Sequence, residues 1–140
     1  MAARFNEPLF VISVAARLVE LHPQTLRKYE KEGLIEPSRT SGNLRLYSDR
    51  DIERLRQVKY LVEGRGLNLA GVQLVLELTR RLRALRDQSA AWYTESARAN
   101  PSRNGTSTAD SFNVMREELD SVLRLLGFID EPVRDERATF

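Results

Sequence analysis

Apolar and polar positions alternate along this chain in a few distinct rhythms, and each rhythm predicts an element. Pro8 to Ile12 is a short apolar run, readable as a buried strand. Ser13 follows as a candidate N-cap, and Val14–Leu21 carries Ala15, Leu18 and Val19 at helical spacing. His22-Pro23 breaks that helix, because proline disfavours a helical residue before it and suits the first position of a new one. A second helix is predicted from Pro23 to Glu32, with Gly33 just past its end. Two short helices joined by a tight turn form a helix-turn-helix. Arg39–Tyr47 reads as a hairpin turned at Ser41-Gly42-Asn43, with Leu44 and Leu46 on one face and Arg45 and Tyr47 on the other. The strand near residues 9–12 is placed to join it in a small sheet.

Further on, Ser48-Asp49-Arg50-Asp51 has capping-box form. It opens a third helix to about Glu63, with Ile52, Leu55, Val58, Leu61 and Val62 facing the core and Gly64 and Gly66 ending it. Asn68 caps a fourth helix from Leu69. The rhythm then changes. Val75, Leu78, Leu82, Leu85, Ser89 and Trp92 follow at steps of three and four, a heptad seam interrupted by one serine. Phe112, Met115, Leu119, Val122 and Leu126 repeat it. The fold expected is mainly α: a winged helix-turn-helix head with a small antiparallel β wing, then coiled-coil-type dimerisation helices. The boundaries expected are an N-terminal arm at 1–8, a head at 9–71, a helical region at 72–127 with a mobile polar loop at 99–110, and a disordered tail at 128–140. A seam this long has too little head to pack against, so Val75, Leu78, Leu82, Leu85 and Trp92 are expected at a dimer interface. Trp92 has the alternative of packing on the second heptad helix.

Charge sharpens the picture only modestly. The chain of 140 residues has a net charge of +2, but residues 1–66 carry +3 and residues 99–140 carry −3. A basic front end is consistent with a polyanion partner. There is no cysteine, which excludes disulfides and thiolate metal sites. No run approaches the roughly 18 apolar residues of a membrane span, and the N-terminus lacks a signal-peptide pattern. A cytoplasmic, nucleoid-associated protein is expected, with no membrane partner, metal or cofactor. His22 is the single histidine. Without a nucleophile or paired acid it makes a poor catalytic site, so an N-cap or DNA contact is preferred and no catalytic residues are assigned.

The second helix carries the chemistry. Leu26 and Tyr29 turn inward, leaving Gln24, Thr25, Arg27, Lys28 and Lys31 outside. Hydroxyl, amide and cationic groups on a short helix suit the donor and acceptor edges of the DNA major groove. The hairpin brings Arg39 and Arg45 beside that helix, with Thr40, Ser41 and Asn43 at its tip, as a wing along the phosphates or in the adjoining minor groove. Arg80, Arg81, Arg83 and Arg86 form a denser cluster, read first as solvated flanks of the coiled coil and second as phosphate contacts.

Ile12-Ser13-Val14-Ala15, Thr25-Leu26-Arg27-Lys28-Tyr29-Glu30, Gly33-Leu34-Ile35-Glu36-Pro37 and Arg45-Leu46-Tyr47 with Asp51-Ile52 resemble the winged-helix domain of MerR-family transcriptional regulators. The resemblance covers about residues 9–78. His22 with Gln24-Thr25-Leu26-Arg27, Arg39-Thr40-Ser41-Gly42 and Asn68-Leu69-Ala70-Gly71-Val72 are similar to its heat-shock repressor branch, HspR. The resemblance implies a homodimer that binds double-stranded DNA at an inverted repeat, represses chaperone genes and takes an Hsp70-type chaperone as co-repressor. It assigns Thr25, Arg27, Lys28 and Tyr29 to the recognition helix and Arg39, Thr40, Asn43, Arg45 and Tyr47 to the wing. Ser13, Arg17 and His22 complete the expected DNA-facing set. The lack of cysteines excludes the metal-, thiol- and redox-sensing branches. The acidic tail, with only Phe128, Ile129 and Phe140 apolar, departs from a hydrophobic chaperone-docking tail. Two other readings stand beside this one: an activator of the same family answering an unknown ligand, and a coiled-coil adaptor whose head binds protein.

Overall fold

A computed structural model describes residues 6–99 and 106–128. Its elements run β1 (Pro8–Val11), α1 (Ile12–Val19), α2 (Pro23–Lys31), β2 (Ser38–Arg39), β3 (Arg45–Ser48), α3 (Asp49–Lys59), a π-helical turn (Tyr60–Gly64), α4 (Leu69–Ala99) and α5 (Thr106–Leu125). The chain divides into two compact units, one through Val72 and one over Gln73–Phe128.

In the first unit, β3 is the central strand of an antiparallel sheet in the order β1-β3-β2. Val11 pairs with Leu46, Phe10 with Tyr47, and Arg39 with Arg45. The strand expected at residues 9–12 thus does join the wing hairpin. It starts at Pro8, taking in the last residue expected in the N-terminal arm. Strand β1 passes straight into α1, so the cap is extended Val11, and Ser13 lies inside the helix rather than capping it. Pairing with β3 decides where the extended chain ends, and that placement buries Ala15, Ala16 and Val19.

Helix α1 stops two residues earlier than expected. Glu20 takes a left-handed conformation at φ 55°, and the Leu21 N–H reaches back to the Ala16 carbonyl at 3.0 Å. A non-glycine residue is disfavoured there. Lys59 of α3 secures the turn by donating to the Val19 and Glu20 carbonyls, each at 3.3 Å. Helix α2 ends as predicted, with Gly33 at φ 78° and the Leu34 N–H bonded to the Tyr29 carbonyl at 2.9 Å. The Ser48 capping box closes in both directions: the Asp51 N–H donates to Ser48 Oγ, and the Ser48 N–H donates to Asp51 Oδ2. Asn68 caps α4 by accepting from the Gly71 N–H at 2.9 Å.

Wing alternation is present, but the core takes the face of Tyr47. Tyr47 has no exposed surface, whereas Leu44 is half exposed. The Tyr47 hydroxyl is buried without a hydrogen-bond partner. Burial, followed by the negative charge of Glu30, pushes its pKa up and keeps it neutral. An unpaired buried hydroxyl carries a desolvation cost of about 1–3 kcal/mol. Tyr47→Phe is therefore expected to hold or raise the urea midpoint, while Tyr47→Ala lowers stability by roughly 3–5 kcal/mol.

In the second unit, α4 and α5 pack antiparallel. Tyr93 stacks on Phe112 with ring centroids 4.3 Å apart. Further along, Arg86 donates to Asp120 at 3.1 Å, and Arg83 lies over the Phe128 ring at 4.4 Å. Rising numbers on α4 thus meet falling numbers on α5. One helix spans Leu69–Ala99, starting where expected and running across the division between Val72 and Gln73, and the loop expected at 99–110 gives its last five residues to α5, its residues 100–105 lying outside the described ones. Phe128, expected in the tail, is buried at the end of α5, where Gly127 adopts φ 84° and the Phe128 N–H bonds the Leu123 carbonyl. Ile129 and Phe140 lie outside the described residues. Among those described, no helix is long and apolar enough to cross a membrane, and no group of three His, Asp or Glu side chains is placed to hold a metal.

Candidate nucleic-acid interface

Helix α2 starts at a proline in its first turn, capped by His22, whose Nδ1 accepts from the Gln24 N–H at 3.1 Å. The single histidine is thus used structurally, and its ring stays at the surface. Leu26 and Tyr29 are buried and anchor the helix. Burial, then the nearby carboxylates of Glu63 and Glu32, push the Tyr29 phenol up, so it remains protonated at neutral pH. Gln24, Lys28 and Lys31 are exposed to solvent, and Thr25 and Arg27 partly so. On α1, Ser13 and Arg17 are also exposed.

The wing has its own internal geometry. The Asn43 N–H bonds the Thr40 carbonyl at 2.9 Å, and Thr40 Oγ1 accepts from the Leu44 N–H at 3.1 Å. Asn43 sits at φ 65°, a left-handed turn position that asparagine tolerates well. Ser41 and Asn43 are exposed at the tip and Thr40 is partly covered. Of the wing residues named from sequence, Tyr47 stands apart, since its side chain offers no surface to a partner.

Glu30 was passed over in the sequence reading. It is the single acid within Pro23–Lys31 and lies in the last turn of α2, where the helix dipole disfavours negative charge. That misplacement was the available signal. Its two carboxylate oxygens accept from both wing arginines, Arg39 at 2.6 Å and Arg45 at 2.5 Å. Burial opposes ionisation of Glu30, but the hydrogen bonds from Arg45 and Arg39 outweigh it and hold the carboxyl below its ordinary value. A carboxyl with a lowered folded pKa contributes stability that is full above the ordinary value of 4.5 and lost as pH falls through the folded value. The stability difference between wild type and Glu30→Gln should therefore shrink on acidification across that window, as read by urea melts at stepped pH.

Within the second unit, the expected seam splits. Val75 and Leu82 are partly covered, while Leu78, Leu85 and Trp92 are 42%, 49% and 75% exposed. Tyr93, not Trp92, packs on α5. Leu123, which the heptad reading omitted, is the most deeply buried residue of α5, while Met115 of the expected seam is exposed. The arginine cluster is engaged within this unit. Arg80 and Arg81 both bond Glu77, holding its carboxyl down to about 2, and Arg86 bonds Asp120.

Residues 10–79 match the family described as MerR HTH family regulatory protein. The chain is 52% identical over 85 residues to a Streptomyces coelicolor protein provisionally named heat shock protein HspR, covering 61% of this chain and 56% of that one. It is 41% identical over 73 residues to the Bacillus anthracis HTH-type transcriptional regulator GlnR, covering 52% and 56%. The chain thus spans about half the length of these curated relatives. A crystal structure of a MerR-family transcriptional regulator from Bacillus cereus aligns at a TM-score of 0.45 and 22% identity, over 82% of this chain and 93% of that one.

Proposed function

The chain belongs to the MerR family of helix-turn-helix regulatory proteins, and from that premise we propose that it represses heat-shock genes by binding an inverted repeat as a homodimer. The observation that carries the DNA assignment is the joint surface of α2 and the wing. Gln24, Lys28 and Lys31 stand exposed on a helix whose opposite face is anchored by Leu26 and Tyr29, with a basic hairpin fixed beside it. Such a helix reads base edges in the major groove, and the wing and Arg17 track phosphates. Ser13, at the start of α1, belongs to the same phosphate-facing set.

The 52% identity to a protein named for heat shock supports the choice of regulon. An Hsp70-type chaperone is the co-repressor in this reading. When unfolded proteins occupy it, repression lapses. The protein acts on the nucleoid in the cytoplasm and is not an enzyme.

Fluorescence anisotropy tests the reading. The probes are the inverted repeat upstream of an Hsp70 operon and a scrambled duplex of equal composition, at two salt concentrations, with and without the chaperone. Selective, salt-sensitive binding that the chaperone strengthens is expected, and equal weak binding to both duplexes would refute it. Thr25→Ala or Lys28→Ala should cost on the order of 1–3 kcal/mol more on the repeat than on the scrambled duplex. Arg17→Ala should weaken both about evenly and flatten the salt slope by roughly 1 per head.

A further inference from the structure

Arg39 and Arg45 are direct cross-strand partners in the wing. Two like charges placed opposite each other destabilise a hairpin. A single carboxylate from a different element resolves the conflict, one oxygen to each guanidinium. Arg39 also donates to the Asn43 carbonyl at 3.3 Å, so the same cluster reaches the wing tip. The side chains involved are 22% exposed at Glu30, 34% at Arg39 and 27% at Arg45. Both arginine side chains are therefore partly open to solvent while each is tied to the recognition helix. Each guanidinium is held by one charge-assisted hydrogen bond to the shared carboxylate, which fixes its direction in a way that a free arginine lacks.

We infer that Glu30 is a specificity-determining positioning residue, which holds both wing arginines against α2 and so couples the position of the wing to base reading by the helix. The inference rests on the DNA-reading assignment above. With Glu30 in place, each head presents the two arginines at one spacing and one angle, and phosphates are reached well only when α2 is seated in its register. Without it, two mutually repelling cations swing free and find phosphates on any duplex.

The test uses the full chain and a duplex selected by the wild-type protein from a randomised pool, against a shuffled duplex of the same composition. Glu30→Gln is expected to lower the ratio of the two affinities about tenfold, chiefly by tightening binding to the shuffled duplex. On that duplex its salt slope should steepen by roughly 2 per head, one for each released arginine. In an Arg39→Gln, Arg45→Gln background, where the repulsion is gone and the fold no longer needs the acid, adding Glu30→Gln should change neither the ratio nor the slope. A general structural role would instead lower both affinities together and leave their ratio unchanged. An unchanged ratio and slope in Glu30→Gln, or an equal loss of selectivity in the double-arginine background, would overturn the inference while leaving the repressor reading intact. Failure of the wild-type chain to prefer any duplex would overturn both.

Discussion

If the proposed homodimer forms through α4, replacing Leu78 and Leu85 by glutamate is expected to leave a monomer that binds the proposed inverted repeat about 10²- to 10⁴-fold more weakly, because two linked heads gain that much from effective concentration. These leucines recur seven residues apart, with Trp92 seven further on and Leu74 beside them, and all four are exposed in the single chain. Burying a leucine side chain is worth about 1.5–3 kcal/mol, and the row repeats in both copies of a symmetric pair. The inner face of α4 is already occupied, since Tyr93 stacks on Phe112 and Arg86 bonds Asp120. The glutamates therefore strike the open row and spare the helical hairpin. Sedimentation should show a monomer with unchanged helical content, and affinity for an isolated half-site should be unaltered. Gln73→Glu, exposed on α4 away from the row, is the control and should remain dimeric. A double mutant that stays dimeric would send the interface elsewhere.

Leu26→Ala is expected to cost about 2–5 kcal/mol of stability, a large share of the roughly 5–15 kcal/mol that holds an ordinary domain. Leu26 is fully buried on the inner side of α2, and Val19 of α1 is buried in the same unit. Its loss leaves a cavity beneath the residues proposed to read bases. The urea midpoint should fall, and DNA binding should be lost at temperatures where the variant unfolds but recover on cooling. Lys28→Ala makes the informative contrast. Lys28 is exposed and its ion pair to Glu32 is long, at 3.9 Å, so its replacement should leave the midpoint within about 0.5 kcal/mol while weakening the repeat. If Leu26→Ala melted like wild type, the anchoring role assigned to that face would be wrong.

Locally closed features were legible from residue order. The Ser48–Asp51 capping box, the glycine past α2 and the Asn68 cap each need only a few consecutive residues and formed as read, and of the two roles open to His22 the cap is present. Features that depend on a distant partner were not. Ser13 is a good cap residue, yet pairing of β1 with β3 carried the extended chain only to Val11. Nothing in Leu44–Tyr47 says which side of an alternating strand faces the core, and packing chose Tyr47 over Leu44. Trp92 and Tyr93 are neighbours in sequence, and only the placement of Phe112 decides which of them is covered.

The amino-acid sequence by itself determined the helix-turn-helix, the wing, the family and the element types except the π-helical turn at Tyr60–Gly64, which was read as plain helix, because hydrophobic period, capping residues and turn chemistry act over a few residues at a time. It also assigned Gln24, Lys28 and Lys31 to an open helix face, since their spacing opposes Leu26 and Tyr29. Tertiary structure alone decided which charges are free and which are committed. Arg39, Arg45, Arg83 and Arg86 look alike in the sequence as surface cations, yet the first two meet Glu30, the third lies on Phe128 and the last bonds Asp120. The physical reason is range. Backbone hydrogen bonding and side-chain period are set by neighbours in the chain, whereas an ion pair between Glu30 and Arg45 exists only once the hairpin has folded back onto the helix.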